Sequence, residues 1–284
     1  MVVEEFKAKH SLRHLLKATG LPKSVYYYHR TTCKQPCASN DLLVKIRDIY
    51  HAHKGRYGYR RITSALRAMG VLVNHKRVQR LMNELGLKSK VRPKRYKSYK
   101  GEVGKIAENT LNREFTAQKP NQKWVTDVTD VTEFKVDNEK VYLSPMIDLF
   151  NQEVISYEVR KSVALPLVTD MLKTATARLK PNEKPVVHSD QGWQYQNKQY
   201  QNHLKEKGLQ QSMSRKGNCL DNAVAENFFG ILKSEMYHNE TFKDVNDLIE
   251  KIKEYIHYYN NERIKLKLKG LSPIQYRNQA LAAA

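Results

Sequence analysis

Three acidic residues carry the types and spacing that could do chemistry. Asp127 lies in the Val- and Thr-rich run Lys123 to Thr132, Asp190 follows a short apolar run and precedes a glycine, and Glu226 sits within an amphipathic stretch. Carboxylates are hard oxygen ligands, suited to Mg²⁺ or Mn²⁺ rather than to the softer metals that thiols take. Two such ions about 3.5–4 Å apart stabilise the attacking and leaving oxygens of a phosphodiester together. The chemistry open to this set is therefore metal-dependent hydrolysis or transfer at a phosphodiester, against the alternative of three unrelated surface acids.

The elements around them decide. Val-rich Lys123 to Thr132 is a strand, with Asp127 in its middle. Lys140 to Asp148 is a second strand, in which Pro145 requires an edge or a bulge. Glu153 to Val159 is a third; Pro185 to His188 and Leu209 to Met213 are two more. Leu165 to Leu179, Asn197 to Lys207 and Asp221 to Glu235 have helical patterns. The order βββαβαβα makes a mixed α/β sheet with helices on its faces, an order shared with ribonuclease H and the polynucleotidyl transferases built on its fold. Asp190, just past the end of a strand, is where open α/β sheets place ligands. At 100° per residue, Asn222, Gly230 and Lys233 share the face of Glu226, while Val224, Phe228, Ile231 and Leu232 lie opposite. Lys233 could neutralise a phosphate there, and Asn222 could hydrogen-bond a DNA backbone or orient a carboxylate. Asp130 falls on the other face of the strand from Asp127, and Asp148, Asp221 and Glu235 read as cap or surface acids, Asp221 as the N-cap of its helix.

The chain of 284 residues carries 50 Lys+Arg against 29 Asp+Glu, a formal net charge of +21. Residues 1–120 hold 27 of those basic and 8 of the acidic residues, so nearly all the excess lies in that part. A basic arm joined to a nearly neutral unit favours a nucleic-acid partner over a neutral metabolite. Within the arm, Ser11 to Ala18, Lys23 to His29, Asp41 to Tyr50, Arg60 to Met69 and His75 to Leu85 read as helices, the last capped by Asn74. Lys76, Arg77 and Arg80 near the start of the last suit the recognition helix of a helix-turn-helix, with a solvated basic face as the alternative. Lys88 to Lys105 contains eight basic residues with Tyr96 and Tyr99 between them, a linker for a phosphate backbone. His10, His14, Cys33 and Cys37 are a zinc set by type, but neither pair has diagnostic spacing and His14 falls inside a helix, so no zinc is assigned. No apolar run of 18 residues and no signal-peptide pattern occurs, and three cysteines give no disulfide framework, which together fit a cytoplasmic protein without a membrane partner.

The flanks of the three acids sharpen the pattern. Thirty-five residues separate Asp190 from Glu226. Together with Trp124 to Thr129, Tyr142 to Phe150, His188 to Gly192, Gly217-Asn218, Asp221 to Ala223, Glu226 to Phe229, Lys233 and Glu235, this spacing resembles the DD(35)E signature of retroviral integrases and insertion-sequence transposases. Tyr258 to Arg263, Leu271 to Pro273, Tyr26 to Tyr28 and Gly55 to Arg61 extend the likeness to the second-frame transposases over nearly the whole chain.

That resemblance implies an α/β, ribonuclease H-like catalytic core over residues 121–284 with a C-terminal helical tail. Before it stand an all-α, helix-turn-helix-like DNA-binding region over 1–87 and a basic linker over 88–120. It implies that Asp127, Asp190 and Glu226 hold two Mg²⁺ ions, for which Mn²⁺ can substitute. A water or a DNA 3′-hydroxyl would then attack a phosphodiester in line, cutting element ends and joining them to target DNA. It further implies a first-frame partner protein and a homo-oligomer on DNA. A structure-specific nuclease and a catalytically silent DNA-binding regulator are the competing functions.

Overall fold

The computed structural model describes residues 3, 6, 10–27, 40–90, 108–112, 114–128, 139–215 and 219–283. Among the described residues, the helices with defined bounds before the sheet are α1 (Leu12–Thr19), α2 (Asn40–Ala52), α3 (Tyr59–Ala68) and α4 (His75–Glu84), and residues 23–27 are helical too. Strands β1 (Lys123–Thr126), β2 (Tyr142–Asp148) and β3 (Val154–Arg160) follow, then α5 (Leu165–Ala177), β4 (Val186–Ser189), α6 (Trp193–Gln196), α7 (Lys198–Glu206) and β5 (Gln210–Met213). The chain closes with α8 (Ala223–Glu235), α9 (Val245–Asn261) and α10 (Pro273–Ala282).

The strands form one sheet in the order β3-β2-β1-β4-β5. β1 pairs antiparallel with β2 and parallel with β4; β2 and β3 are antiparallel, β4 and β5 parallel. Alternation along the strands sends successive side chains to opposite faces. Trp124, Met146, Ile155, Val187 and Met213 pack with Val168, Met171, Leu172, Tyr195, Tyr200 and Leu204 of α5–α7. Val125, Leu143, Ile147 and Val154 pack with α8 and α9 on the other face. The apolar stripe of α9, including Leu248, Ile252 and Ile256, is thereby spent on the chain's own core.

Several expectations are corrected. β1 ends at Thr126, so Asp127 lies just past a strand end rather than within a strand; Asp130 lies outside the described residues. Pro145 is tolerated in an inner strand because β1 pairing stops at Met146, leaving no partner there for its missing N–H, and a register shift against β3 follows directly. The helix read over Arg60 to Met69 ends at Ala68, and Met69, its C-cap, is 62% exposed. Cys219–Asn222 form a 3₁₀ turn before α8, so Asp221 is not its N-cap. Asp148, Asp221 and Glu235 are buried and ion-paired rather than surface acids. Leu111, within the segment read as linker, is buried against the core and its N–H donates to Ser212 Oγ at 3.2 Å.

α2–α4 share the α8–α9 side of the core, with Ile46, Ile62, Leu66, Val78 and Leu81 buried there. Glu235, the last residue of α8, fastens this junction. Its carboxylate accepts from Arg263 Nε (2.8 Å) and Nη2 (2.7 Å), Arg61 Nη1 (3.1 Å) and Tyr255 Oη (2.9 Å). Its carbonyl accepts from Arg56 Nε at 3.0 Å. Burial pushes the Glu235 carboxyl up, but hydrogen bonding and charge from Arg263, with Arg61, more than offset it and hold the group below its ordinary 4.5. Glu235→Gln leaves the buried Arg263 and the half-buried Arg61 without their anion and should cost about 3–5 kcal/mol in urea denaturation at neutral pH. A depressed carboxyl contributes its stability above the unfolded value and loses it on acidification. The difference between wild type and Glu235→Gln should therefore shrink as pH falls below about 4.5.

Candidate active site

The acids are placed by strand register. β1 and β4 pair in parallel with Trp124 opposite Val187 and Val125 opposite His188. The same register, continued two residues past the last pair, sets Asp127 beside Asp190 at neighbouring carboxyl ends of the sheet. Asp190 is fixed by its own turn: Oδ1 accepts from Gly192 N–H at 2.9 Å. A Cβ on residue 192 would stand 2.7 Å from Gln194 Oε1 and 3.0 Å from Asp190 Oδ1, so a side chain there would crowd both groups.

Glu226, in the first turn of α8, is brought to the same end by two ties from the preceding 3₁₀ turn. Asn222 Nδ2 donates to Thr126 O, the carbonyl immediately before Asp127, at 3.1 Å. His188 Nε2 donates to Asp221 O at 2.9 Å, and its Nδ1 accepts from Ser212 Oγ at 2.8 Å. The start of α8 is thus fastened to the ends of β1 and β4 together. The Asp221 carboxylate, fully buried, closes the intervening loop by accepting from Arg215 Nε (2.9 Å), Arg215 Nη2 (3.0 Å) and Asn109 Nδ2 (3.0 Å).

The electrostatics mark this corner out. Burial pushes the Asp127 carboxyl up to about 8, the negative charges of Asp190 and Glu226 add to the shift, and the Val128 N–H opposes it. Asp190 is raised by burial and held back by the Gly192 N–H. Tyr195, buried with its hydroxyl 3.3 Å from Thr126 Oγ, is raised by burial and by the charges of Asp190 and Asp127. Other buried acids have arginine partners: Asp148 and Glu153 have Arg277, Asp221 has Arg215, and Glu235 has Arg263. Asp127 and Asp190 have no basic partner within ion-pair distance among the described residues. Repelling carboxylates left unneutralised in this way are a donor set that fits a hard cation. Among the described residues no three His, Cys, Asp or Glu side chains close on one point as a finished cage would, and Glu226 is exposed at the mouth.

The other expected contacts are distributed differently. Lys233 is half-buried on α8, two turns beyond Glu226. Asn222 is only 4% exposed, its amide N–H committed to Thr126 and its Oδ1 buried without a partner, so it clamps the strand end rather than presenting itself to DNA. Lys76, Arg77 and Arg80 are exposed on α4, whose start Asn74 caps by accepting from Lys76 N. Arg80 pairs with Glu84 on its own helix. His14 bonds Ser11 Oγ at 2.6 Å, and Cys33 and Cys37 lie outside the described residues. The sequence reading missed Arg215 as the partner of Asp221, and it placed His188 at the end of a strand without its role in seating α8. The only signal for the latter was its place on a strand two residues before Asp190.

An integrase-core domain family matches residues 117–219, a second integrase-core family matches 226–281, and an HTH-like domain family matches 38–95. The fold and site thus define a DNA-integrating polynucleotidyl transferase of the integrase-core class. The chain is 53% identical over 278 residues to the putative transposase InsK of insertion element IS150 from Escherichia coli K12, covering 98% of this chain and 97% of that one. It is 56% identical over 211 residues to a transposase-like protein of Haemophilus influenzae, covering 74% and 96%. Among solved structures, the HTLV-2 integrase catalytic core aligns with a TM-score of 0.45 at 19% identity, over 57% of this chain and 99% of that one. The chain belongs to the insertion-sequence transposases of the second-frame type, and its function is transposition. Among the described residues no helix is long and apolar enough to cross a membrane.

The Asn222 clamp gives a direct expectation. Asn222→Asp sets a carboxylate oxygen against the Thr126 carbonyl and should slow strand cleavage more than Asn222→Ala. Asn222→Ala itself should cost about 1–3 kcal/mol in urea denaturation, because it orphans a buried acceptor.

Proposed function

We propose that Asp127, Asp190 and Glu226 are the catalytic acids and together hold two Mg²⁺ ions, with Mn²⁺ able to substitute. The observation that carries this reading is the strand register that sets Asp127 beside Asp190, with neither carboxylate given a basic partner. Bound ions would supply activation of the attacking oxygen and neutralisation of the leaving one. The chain's part is to hold the carboxylates in place. Asn222 and His188 keep the end of β1, the end of β4 and the start of α8 at fixed separation, and Gly192 keeps Asp190 folded onto its own turn.

The reaction is strand cleavage at the ends of a mobile element, followed by attack of the freed 3′-hydroxyl on target DNA. One phosphodiester replaces another, so no nucleotide cofactor is needed. Lys76, Arg77 and Arg80 on α4 meet the element end, and Lys233 lies close enough to Glu226 along α8 to face a phosphate. Residues 1–87 form the DNA-binding region, 88–120 a basic linker that lies along the phosphate backbone, and 121–284 the catalytic core. A first-frame protein and further copies of this chain complete the assembly, which acts in the cytoplasm.

The test compares wild type with Glu226→Gln on supercoiled plasmid carrying candidate element ends, in Mn²⁺ or EDTA, with and without the first-frame partner. Joined products from wild type alone, lost by at least about a hundredfold in the variant and absent in EDTA, are expected. Nicking without joining would favour a plain nuclease, and binding without cutting, even with the partner, a silent regulator. A second readout needs no DNA. In EDTA the raised Asp127 carboxyl favours the folded state only while protonated, so wild type should lose stability as pH rises from about 4 toward 8. Asp127→Asn should flatten that loss in thermal melts, and Mg²⁺ should raise the melting temperature of wild type more than that of the variant.

A further inference from the structure

Trp193 opens α6, directly after the Asp190–Gly192 turn. The segment around it is locked. Tyr195 N–H donates to Gly192 O at 3.1 Å, Gln196 Nε2 to Gln191 O at 2.5 Å, and Gln211 Nε2 to Tyr195 O at 2.9 Å. Gln194 and Tyr195 are buried beneath it. Trp193 is 55% exposed, whereas Trp124, the chain's other tryptophan, is fully buried. Among the described residues the Trp193 ring stacks on no other ring and its indole N–H has no acceptor. The core does not use this side chain, so a rigid, large aromatic face stands free three residues from a carboxylate read as catalytic.

We propose that Trp193 is a stacking platform for a nucleobase displaced from its duplex beside the scissile phosphodiester. The proposal rests on the assignment of Asp190 to the catalytic site. Every base offers a π-face, so such a platform tolerates any sequence, and an indole fixed on a locked turn loses little freedom when it stacks.

The test uses the full chain and fluorescein-labelled duplexes in Mg²⁺. One carries a two-nucleotide unpaired 3′ flank, one the same flank with abasic sites, one an internal two-nucleotide unpaired bulge, and one is blunt. Binding is read by anisotropy and indole emission. Because Trp124 is buried, a DNA-induced quench present in wild type and absent in Trp193→Phe belongs to Trp193. Trp193→Ala should weaken binding of the flanked or bulged duplex about tenfold, and of the abasic and blunt duplexes less than twofold. Trp193→Phe should restore most of that affinity. Selective loss on the flank places the base at a DNA end, and on the bulge within the duplex interior. Equal losses on all four duplexes, or no quench on the base-bearing ones, would overturn the proposal. Thermal melts of both variants should match wild type, because the ring is exposed. Glu226→Gln should quench like wild type, so failure of the cleavage reading and failure of the stacking reading give different results.

Discussion

The mutual repulsion of carboxylates at one corner of the sheet is the constraint around which this molecule is built. Nothing local offsets this, because Asp127 and Asp190 have no basic neighbour within ion-pair distance among the described residues. The geometry must be imposed from outside the corner, and it is imposed through backbone. The parallel pairing of β1 with β4 fixes the first two acids, and the Asn222 and His188 ties bring the start of α8, and so Glu226, to the same end.

Elsewhere the same fold treats buried acids in the opposite way. Asp148 receives Arg277 and two backbone N–H groups, Glu153 receives Arg178 and Arg277, Asp221 receives Arg215, and Glu235 receives Arg263, Arg61 and Tyr255. Asp127 and Asp190 stand apart from these four acids in having no arginine within ion-pair distance among the described residues. A buried acid with its arginine holds two elements together. An acid without one is free to take a cation as its partner instead.

The fold was largely legible because its elements depend on local periodicity. The strand and helix order, the Asn74 cap and the apolar stripes of α2, α4 and α9 follow from spacings within a few residues. What was illegible depends on partners far along the chain. Nothing near Glu235 announces Arg263 or Arg61, and nothing near Asp148 announces Arg277, so both acids read as surface residues. The end of β1 at Thr126 and the 3₁₀ turn before α8 were misjudged for a related reason. Val128 and Thr129 continue the strand composition and Asp221 has the composition of a cap, but Thr126 O accepts from Asn222 rather than from a further strand residue. The helical wheel that put Asn222 on the Glu226 face fails at the same place, because it assumes 100° per residue through a turn that is not α-helical.

The helix that carries Glu226 is held at both ends by different parts of the chain, and this bears on how DNA engagement reaches the chemistry. Its start is tied to β1 and β4, and its last residue is gripped by Arg61 of α3 and by Tyr255 and Arg263 of the C-terminal region. α3 packs directly with α4, whose exposed Lys76 and Arg77 point away from the shared core. α4 is thus connected through α3 and Glu235 to a helix of 13 residues whose other end bears Glu226. Packed interiors deform little and transmit strain, so α8 responds as a unit: a shift at Glu235 reaches Glu226 unless the Asn222 and His188 ties resist it. Those two ties therefore hold the start of α8 against the ends of β1 and β4 while Glu235 holds its other end.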